Sequence, residues 1–189
     1  MRDADGIVRF WIEEVGATGW YRQDDALDRA IRERYLGLWQ KARRGGLREW
    51  RCDPRGMLAY LILTDQFPRN MFRGDARAFA TDRQARSAAR AAIDRGFDTR
   101  IAEPARQFFY LPFMHGEVLA IQDRCVRLMA LRLPGGGDNL RHARAHRAII
   151  RRFGRFPYRN AALGRADTQA ETQFLESEGY RAVLSALDG

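Results

Sequence analysis

The stretch Leu27-Asp-Arg-Ala-Ile31-Arg-Glu-Arg-Tyr35-Leu-Gly-Leu38-Trp39-Gln-Lys-Ala42 decides the fold class. Its apolar residues Leu27, Ile31, Tyr35, Leu38, Trp39 and Ala42 recur at steps of three and four, the period of one helix face. Charged residues fill most of the gaps, so the segment reads as an amphipathic helix with one buried stripe. Asp24 or Asp25 can cap its start, since a carboxylate there accepts from N–H groups that have no helical partner. Gly45-Gly46 stops it.

The same pattern extends in both directions. Ile7, Phe10, Trp11 and Val15 mark a short helix closed by Gly16. Asp53-Pro54 places a cap before a proline at the first helical position, and Met57, Leu58, Leu61, Ile62 and Asp65 follow on one stripe. Pro68 disfavours helical geometry in the residue before it, which predicts a helix end near Phe67. Asp82 is positioned to cap an alanine-rich helix that runs to Arg95 and stops at Gly96. Glu103-Pro104 opens the next helix, Pro112 kinks or breaks it, and a longer helix runs to about Arg132. Pro134-Gly135-Gly136-Gly137 is a loop, and Asp138 can cap the helix to Phe153, with Gly154 next. Thr168-Gln-Ala-Glu171 is a capping box for a short helix ending at Gly179, and a last helix covers Tyr180 to Leu187. No segment alternates polar and apolar residues in the manner of a strand. The reading is therefore all-α: one domain, residues 1–189, of short helices packed in pairs.

Composition narrows the function. The chain has 189 residues, of which 46% are hydrophobic, enough for a core without staples. Its apolar runs are far shorter than the ~20 residues of a membrane span, so no membrane partner is expected. Charges in Met1-Arg2-Asp3-Ala4-Asp5 stand where a signal peptide is apolar, so a cytoplasmic location is expected. Cys52 and Cys125 lie far apart with no metal-ligand spacing and read as reduced thiols. The net charge is +9, which permits phosphate binding. The arginines are interleaved with acids, however, and no basic arm is present, so nucleic acid is not the expected partner.

Three segments carry more polarity than a helical core needs. In the first, Asp65-Gln66-Phe67-Pro68-Arg69-Asn70 with Arg73, Asp65 sits on an apolar stripe. An unpaired carboxylate there is costly, so an arginine or backbone N–H partner is expected. The second runs from Phe108 to Glu117, with Gln122 beyond; His115, Val118, Gln122 and Cys125 follow at helical steps. Glu117 is two residues from His115, which places it ~200° around a helix and makes a metal pair weak. The third is His146 to Asn160, then Leu163-Gly164-Arg165. It repeats the aromatic-proline end of the first: Phe67-Pro-Arg-Asn70 is echoed by Phe156-Pro-Tyr-Arg-Asn160. Proline forces each turn, and arginine supplies a donor fork suited to carboxylate or phosphate. Arg69, Arg73, Arg155, Arg159 and Arg165, brought together, need acids such as Asp65 and Glu117 or a bound anion between them.

These blocks resemble the signature of a bacterial family of uncharacterised proteins, the domain of unknown function 924 family. The likeness runs through Phe10-Trp11, Trp20, Leu63-Thr-Asp-Gln-Phe-Pro-Arg-Asn70, Tyr110-Leu-Pro-Phe-Met-His115, Phe153-Gly-Arg-Phe-Pro-Tyr-Arg-Asn160 and Leu163-Gly-Arg165. It implies a tetratricopeptide-like helical stack and no particular activity. Two positions depart from the pattern: Gly116 stands where the family usually has serine, and Tyr158 where histidine is common.

The leading reading is a binding module for a small anionic ligand or acidic peptide. Its candidate cleft comprises Asp65, Gln66, Arg69, Asn70, Arg73, His115, Glu117, Gln122, His146, Arg155, Arg159, Asn160 and Arg165. One alternative is an enzyme using Asp65, Glu117, His115 and His146 as acid–base groups. Another is a scaffold in which the polar turns only lock the fold. No phosphate loop, dinucleotide fingerprint, zinc motif or nucleophile elbow occurs, so no cofactor or metal is expected. The sequence assigns no catalytic residue and no oligomeric state.

Overall fold

The computed structural model describes residues 2–136, 138–177 and 179–187. Gly137 of the expected glycine loop lies outside the described residues. Among the described residues the chain is helical with no strand, and no helix is long and apolar enough to cross a membrane. It divides into two compact units, Met1–Pro112 and Phe113–Gly189.

In the first unit, α1 (Arg2–Val8) runs into a π-helical turn (Arg9–Val15) that ends at Gly16, whose φ of +66° suits a residue without Cβ. α2 (Asp25–Arg43) starts where the sequence places it. Asp24 caps it by accepting from Ala26 and Leu27, and Ile31, Tyr35, Trp39 and Ala42 form its buried stripe. α3 (Pro54–Leu61) has Asp53 as its cap.

The expected stop near Phe67 does not occur. α3 continues through a π-helical turn (Ile62–Gln66) into α4 (Phe67–Met71), with Phe67 itself helical at φ −60° and ψ −36°. The wide turn lets the Phe67 N–H bond to the Ile62 carbonyl. Pro68 has no N–H to give the Thr64 carbonyl four residues back, and the Thr81 hydroxyl donates to that carbonyl instead, at 2.6 Å. Thr81 Oγ1 in turn accepts from Trp39 Nε1 at 3.1 Å.

α5 (Asp82–Asp94) also departs from expectation at its start. Thr81 is the residue before the helix and makes no side-chain cap, while Asp82 is the first helical residue. The Asp82 carboxylate is engaged by Arg69 at 3.0 Å. The core of this unit is aromatic: Tyr35 packs 4.9 Å from Phe67, Trp11 5.4 Å from Phe67, and Trp20 4.9 Å from Phe108.

The chain enters the second unit through a short helix, α6 (Leu111–Met114). His115 to Val118 are not helical, and Val118 is extended at φ −138°. The expected stripe of His115, Val118, Gln122 and Cys125 is therefore broken, and Val118 is exposed. α7 (Leu119–Arg132) packs on α8 (Asp138–Phe153) as a helical hairpin. α9 (Gln169–Glu176) carries the Thr168–Glu171 capping box, and α10 (Tyr180–Ser185) packs on α8. Ile149, Ile150, Phe156 and Phe174 centre this core.

Candidate functional site

Five of the sequence candidates lie in the first unit and eight in the second. In the first unit, Asp65 is nearly fully buried, and Arg69 on the next turn answers it. Arg69 Nη1 lies 3.3 Å from Asp65 Oδ1 and donates to the Asp65 carbonyl at 2.5 Å, and Nη2 reaches Asp82. The expected partner of Asp65 is thus an arginine.

Asn70 and Arg73 turn to a different acid. Asn70 Nδ2 donates to Asp28 Oδ1 at 2.8 Å, and Arg73 holds the same carboxylate with Nε and with Nη2, the latter at 3.0 Å. Gln66 Nε2 donates to Asn70 Oδ1 at 3.3 Å. Each side chain of this block therefore fixes its neighbour.

Beside Asn70 and Arg73 lies an open hollow of about 340 Å³. Its other walls are Asp25, Asp28, Arg29 and Arg32 of α2, with Met71. Arg32 donates to the Met71 carbonyl and lies over the Phe72 ring. The lining holds three arginines and two aspartates, and Asp28 is already engaged by Arg73 and Asn70. Sequence reasoning missed Asp28, Arg29 and Arg32, because charges at steps of three and four opposite an apolar stripe look like an ordinary solvated face.

In the second unit the arginines again meet acids. Arg165 grips Glu117 with two parallel donors, at 2.8 and 3.0 Å, and the Phe156 N–H donates to the same carboxylate at 2.8 Å. Burial alone raises the Glu117 pKa; the Arg165 fork, the Phe156 N–H and nearby Arg159 outweigh it, and the net shift is downward. Arg155 makes a matching fork on buried Glu171, at 2.6 and 2.7 Å, which with the Thr168 N–H holds that carboxyl well below the usual range. Asn160 donates to Asp167 at 2.6 Å. Gln122 Nε2 donates to the carbonyls of Met114 and Gly116, at 2.6 and 2.7 Å, and so closes the open end of α6. An arginine-held Glu117 with a lowered pKa is a poor proton donor or acceptor near neutral pH, which weakens the acid–base role considered for it.

All three histidines of the chain gather in this unit. His142 and His146 are one turn apart on α8, and both reach the Tyr180 hydroxyl, at 2.7 and 3.2 Å from their Nδ1 atoms. His146 Nδ1 is also 2.9 Å from the His142 carbonyl. A carbonyl only accepts, so the neutral His146 ring carries its proton on Nδ1 and its lone pair on Nε2. The His115 ring lies 6.5 Å from His146, Phe156 5.3 Å and Tyr180 5.2 Å. Burial first, against the bond to His142 and aided by His115, Arg159 and His142, pushes His146 down to about 3. Burial likewise raises the Tyr180 phenol. Arg159 is buried, lies 4.5 Å over the Phe156 ring and donates to the His115 carbonyl at 3.1 Å. Tyr158, one of the two departures from the family pattern, stacks on the other neighbour of this cluster, Phe156, at 5.3 Å. His142 and Tyr180 were not picked out from sequence; the four-residue step between His142 and His146 was the available signal. Among the described residues, no group of three or more His, Cys, Asp or Glu is placed to hold a metal ion.

The model of a bacterial family of proteins of unknown function, DUF924, matches residues 7–179. A solved structure of a protein of unknown function from Agrobacterium tumefaciens is similar: it is 44% identical, superposes with a TM-score of 0.87, and the match covers 93% of this chain and 97% of that one. No curated protein matches the chain.

Proposed function

The chain belongs to the bacterial DUF924 family, and from that premise we propose that it is a binding module whose arginine-lined hollow beside α2 takes a small anionic ligand or the acidic end of a peptide. The observation that carries the reading is the imbalance of charge around that hollow. Three arginines, Arg29, Arg32 and Arg73, line it against two aspartates, and because Arg73 is taken up by Asp28, Arg29 and Arg32 are left with Asp25 alone. A volume of about 340 Å³ falls at the small end of ligand pockets. Guanidinium forks are suited to carboxylate and phosphate oxygens.

On this reading the two proline turns have another task. Arg69, Arg155 and Arg165 each sit on an internal carboxylate, so the signature blocks lock the fold and the ligand takes Arg29 and Arg32. The test is a thermal-shift and calorimetric screen with citrate, succinate and a peptide ending in two aspartates. Stabilisation that vanishes in the Arg29→Ala/Arg32→Ala variant supports the hollow as the site. Stabilisation that survives in that variant, or none at all with any of the three, overturns it.

A further inference from the structure

Along the chain the arginines alternate with acids, but two stretches separate from that pattern. Residues 41–51 and 83–95 together carry nine cations and two acids, Glu49 and Asp94. The remaining residues of the first unit carry twelve cations and fourteen acids. The unit's whole positive excess therefore lies on these two stretches.

The structure lays them side by side. Gln84, in the first turn of α5, donates to the Arg43 carbonyl at 3.1 Å. Arg95, just past its last turn, donates to the carbonyls of Arg51 and Cys52, at 2.8 and 3.2 Å. The segment 41–51 thus follows α5 from one end to the other. α5 buries Ala85, Ala88, Ala89, Ala92 and Ile93. At 100° per residue, Arg83, Arg86 and Arg90 fall within about 60° of one another on the opposite side. Gln84, which marks the side of the segment, lies about 100° from Arg83. The small, exposed Ser87 and Ala91 fall between them. The result is a strip with small residues along its middle and cations on both flanks. Lys41, Arg44, Arg48, Arg83 and Arg90 are exposed and Arg86 is half-buried, and none of the six has an ion-pair partner among the described residues. Asp82, at the head of α5, is taken by Arg69.

We propose that this strip binds the phosphate backbone of double-stranded DNA without regard to base sequence. Guanidinium forks match phosphate oxygens, and each phosphate neutralised releases counterions. The 13 residues of α5 extend ~20 Å, the length of about six base pairs. Neither stretch has an exposed large apolar residue. The strip therefore lacks the apolar face that seats a helix in lipid, the aromatic anchors of a protein interface and the rings on which single-stranded bases stack. It carries one hydroxyl, that of Ser87, and so offers little to read the 2′-hydroxyls of an RNA duplex. None of its residues lines the hollow beside α2.

The experiment is fluorescence anisotropy over a series of salt concentrations. The probes are a labelled DNA duplex of about 20 base pairs, which exceeds the length of the strip, its single strand, the RNA duplex of the same sequence and phosphatidylserine vesicles. Each variant is first shown by circular dichroism to keep the wild-type helix content. Arg83→Ala/Arg86→Ala/Arg90→Ala is expected to weaken duplex binding about tenfold or more and to reduce the slope of log K against log salt by about two to three. Arg44→Ala/Arg48→Ala, on the other flank, is expected to reduce that slope by about two. Arg127→Ala/Arg144→Ala/Arg151→Ala removes three exposed cations from the second unit, and is expected to leave the slope within about one of wild type. An equal loss in that control overturns the strip as the site. So does a duplex that fails to bind at low salt, or an unchanged slope in either strip variant. Binding of the single strand, the RNA duplex or the vesicles as tight as that of the DNA duplex overturns DNA as the partner.

Discussion

Thr81 Oγ1 lies 2.6 Å from the carbonyl oxygen of Thr64 and donates to it. That bond accounts for the helix that passes through Pro68. Proline deprives Thr64 of its backbone partner, and both threonines are fully buried, so water is not at hand to replace it. Removing the hydroxyl strands the Thr64 carbonyl and also the Trp39 indole N–H, 3.1 Å away. Thr81→Val is expected to lose about 1–3 kcal/mol in urea unfolding, and Thr81→Ser to lose much less. Equal stability of the valine variant and wild type would show that the bond is dispensable.

Acid stability depends on His146. Its pKa in the folded chain is about 3, below the ordinary 6.5. The folded state therefore binds fewer protons than the unfolded state between those values. Stability is full above pH 6.5 and is lost as pH falls toward 3, by ~1.4 kcal/mol per unit at most. His142, also lowered by burial, adds in the same sense. Glu117 and Glu171, both lowered, join below the usual carboxylate value of 4.5. Between pH 7 and pH 5 the wild type is expected to lose about 2 kcal/mol on account of His146, and His146→Gln to have a flatter profile. A wild-type curve level over that range contradicts the buried neutral ring.

The Glu117–Arg165 fork couples the loop after His115 to the turn after Asn160. Glu117→Ala leaves a three-quarters-buried guanidinium with fewer partners. A double-mutant cycle with Arg165→Ala is expected to give a coupling of about 1–2 kcal/mol in chemical denaturation. A coupling near zero would mean that the Phe156 N–H alone positions Glu117.

Where the residues themselves carry the constraint, the sequence was readable. Asp24, Asp53 and Thr168 cap the helices that follow them, because a cap and its N–H partners lie within three residues. Asp65 found its arginine one turn away for the same reason. The helix through Pro68 was not readable, since the group that rescues Thr64 is 17 residues further on. The break at His115 was also hidden: Gln122 satisfies carbonyls six and eight residues back, and no local pattern announces it. Tyr180 lies 34 residues from His146, so the histidine cluster exists only once α10 is laid on α8. For Arg29 and Arg32 the obstacle was different, because nothing in a polar helix face distinguishes a hollow from open water.

The wide turn at Ile62–Gln66 has an angular consequence. Each hydrogen-bonded ring there encloses one residue more than an α-helix would, and one residue is worth about 100° of rotation. The rod from Pro54 to Met71 therefore changes phase partway along. Its first half is buried all round, from Gly56 to Leu61, and its second half aims Arg69 at Asp82 and Asn70 at Asp28. An unbroken α-helix would turn Arg69 and Asn70 about 100° away from those two acids.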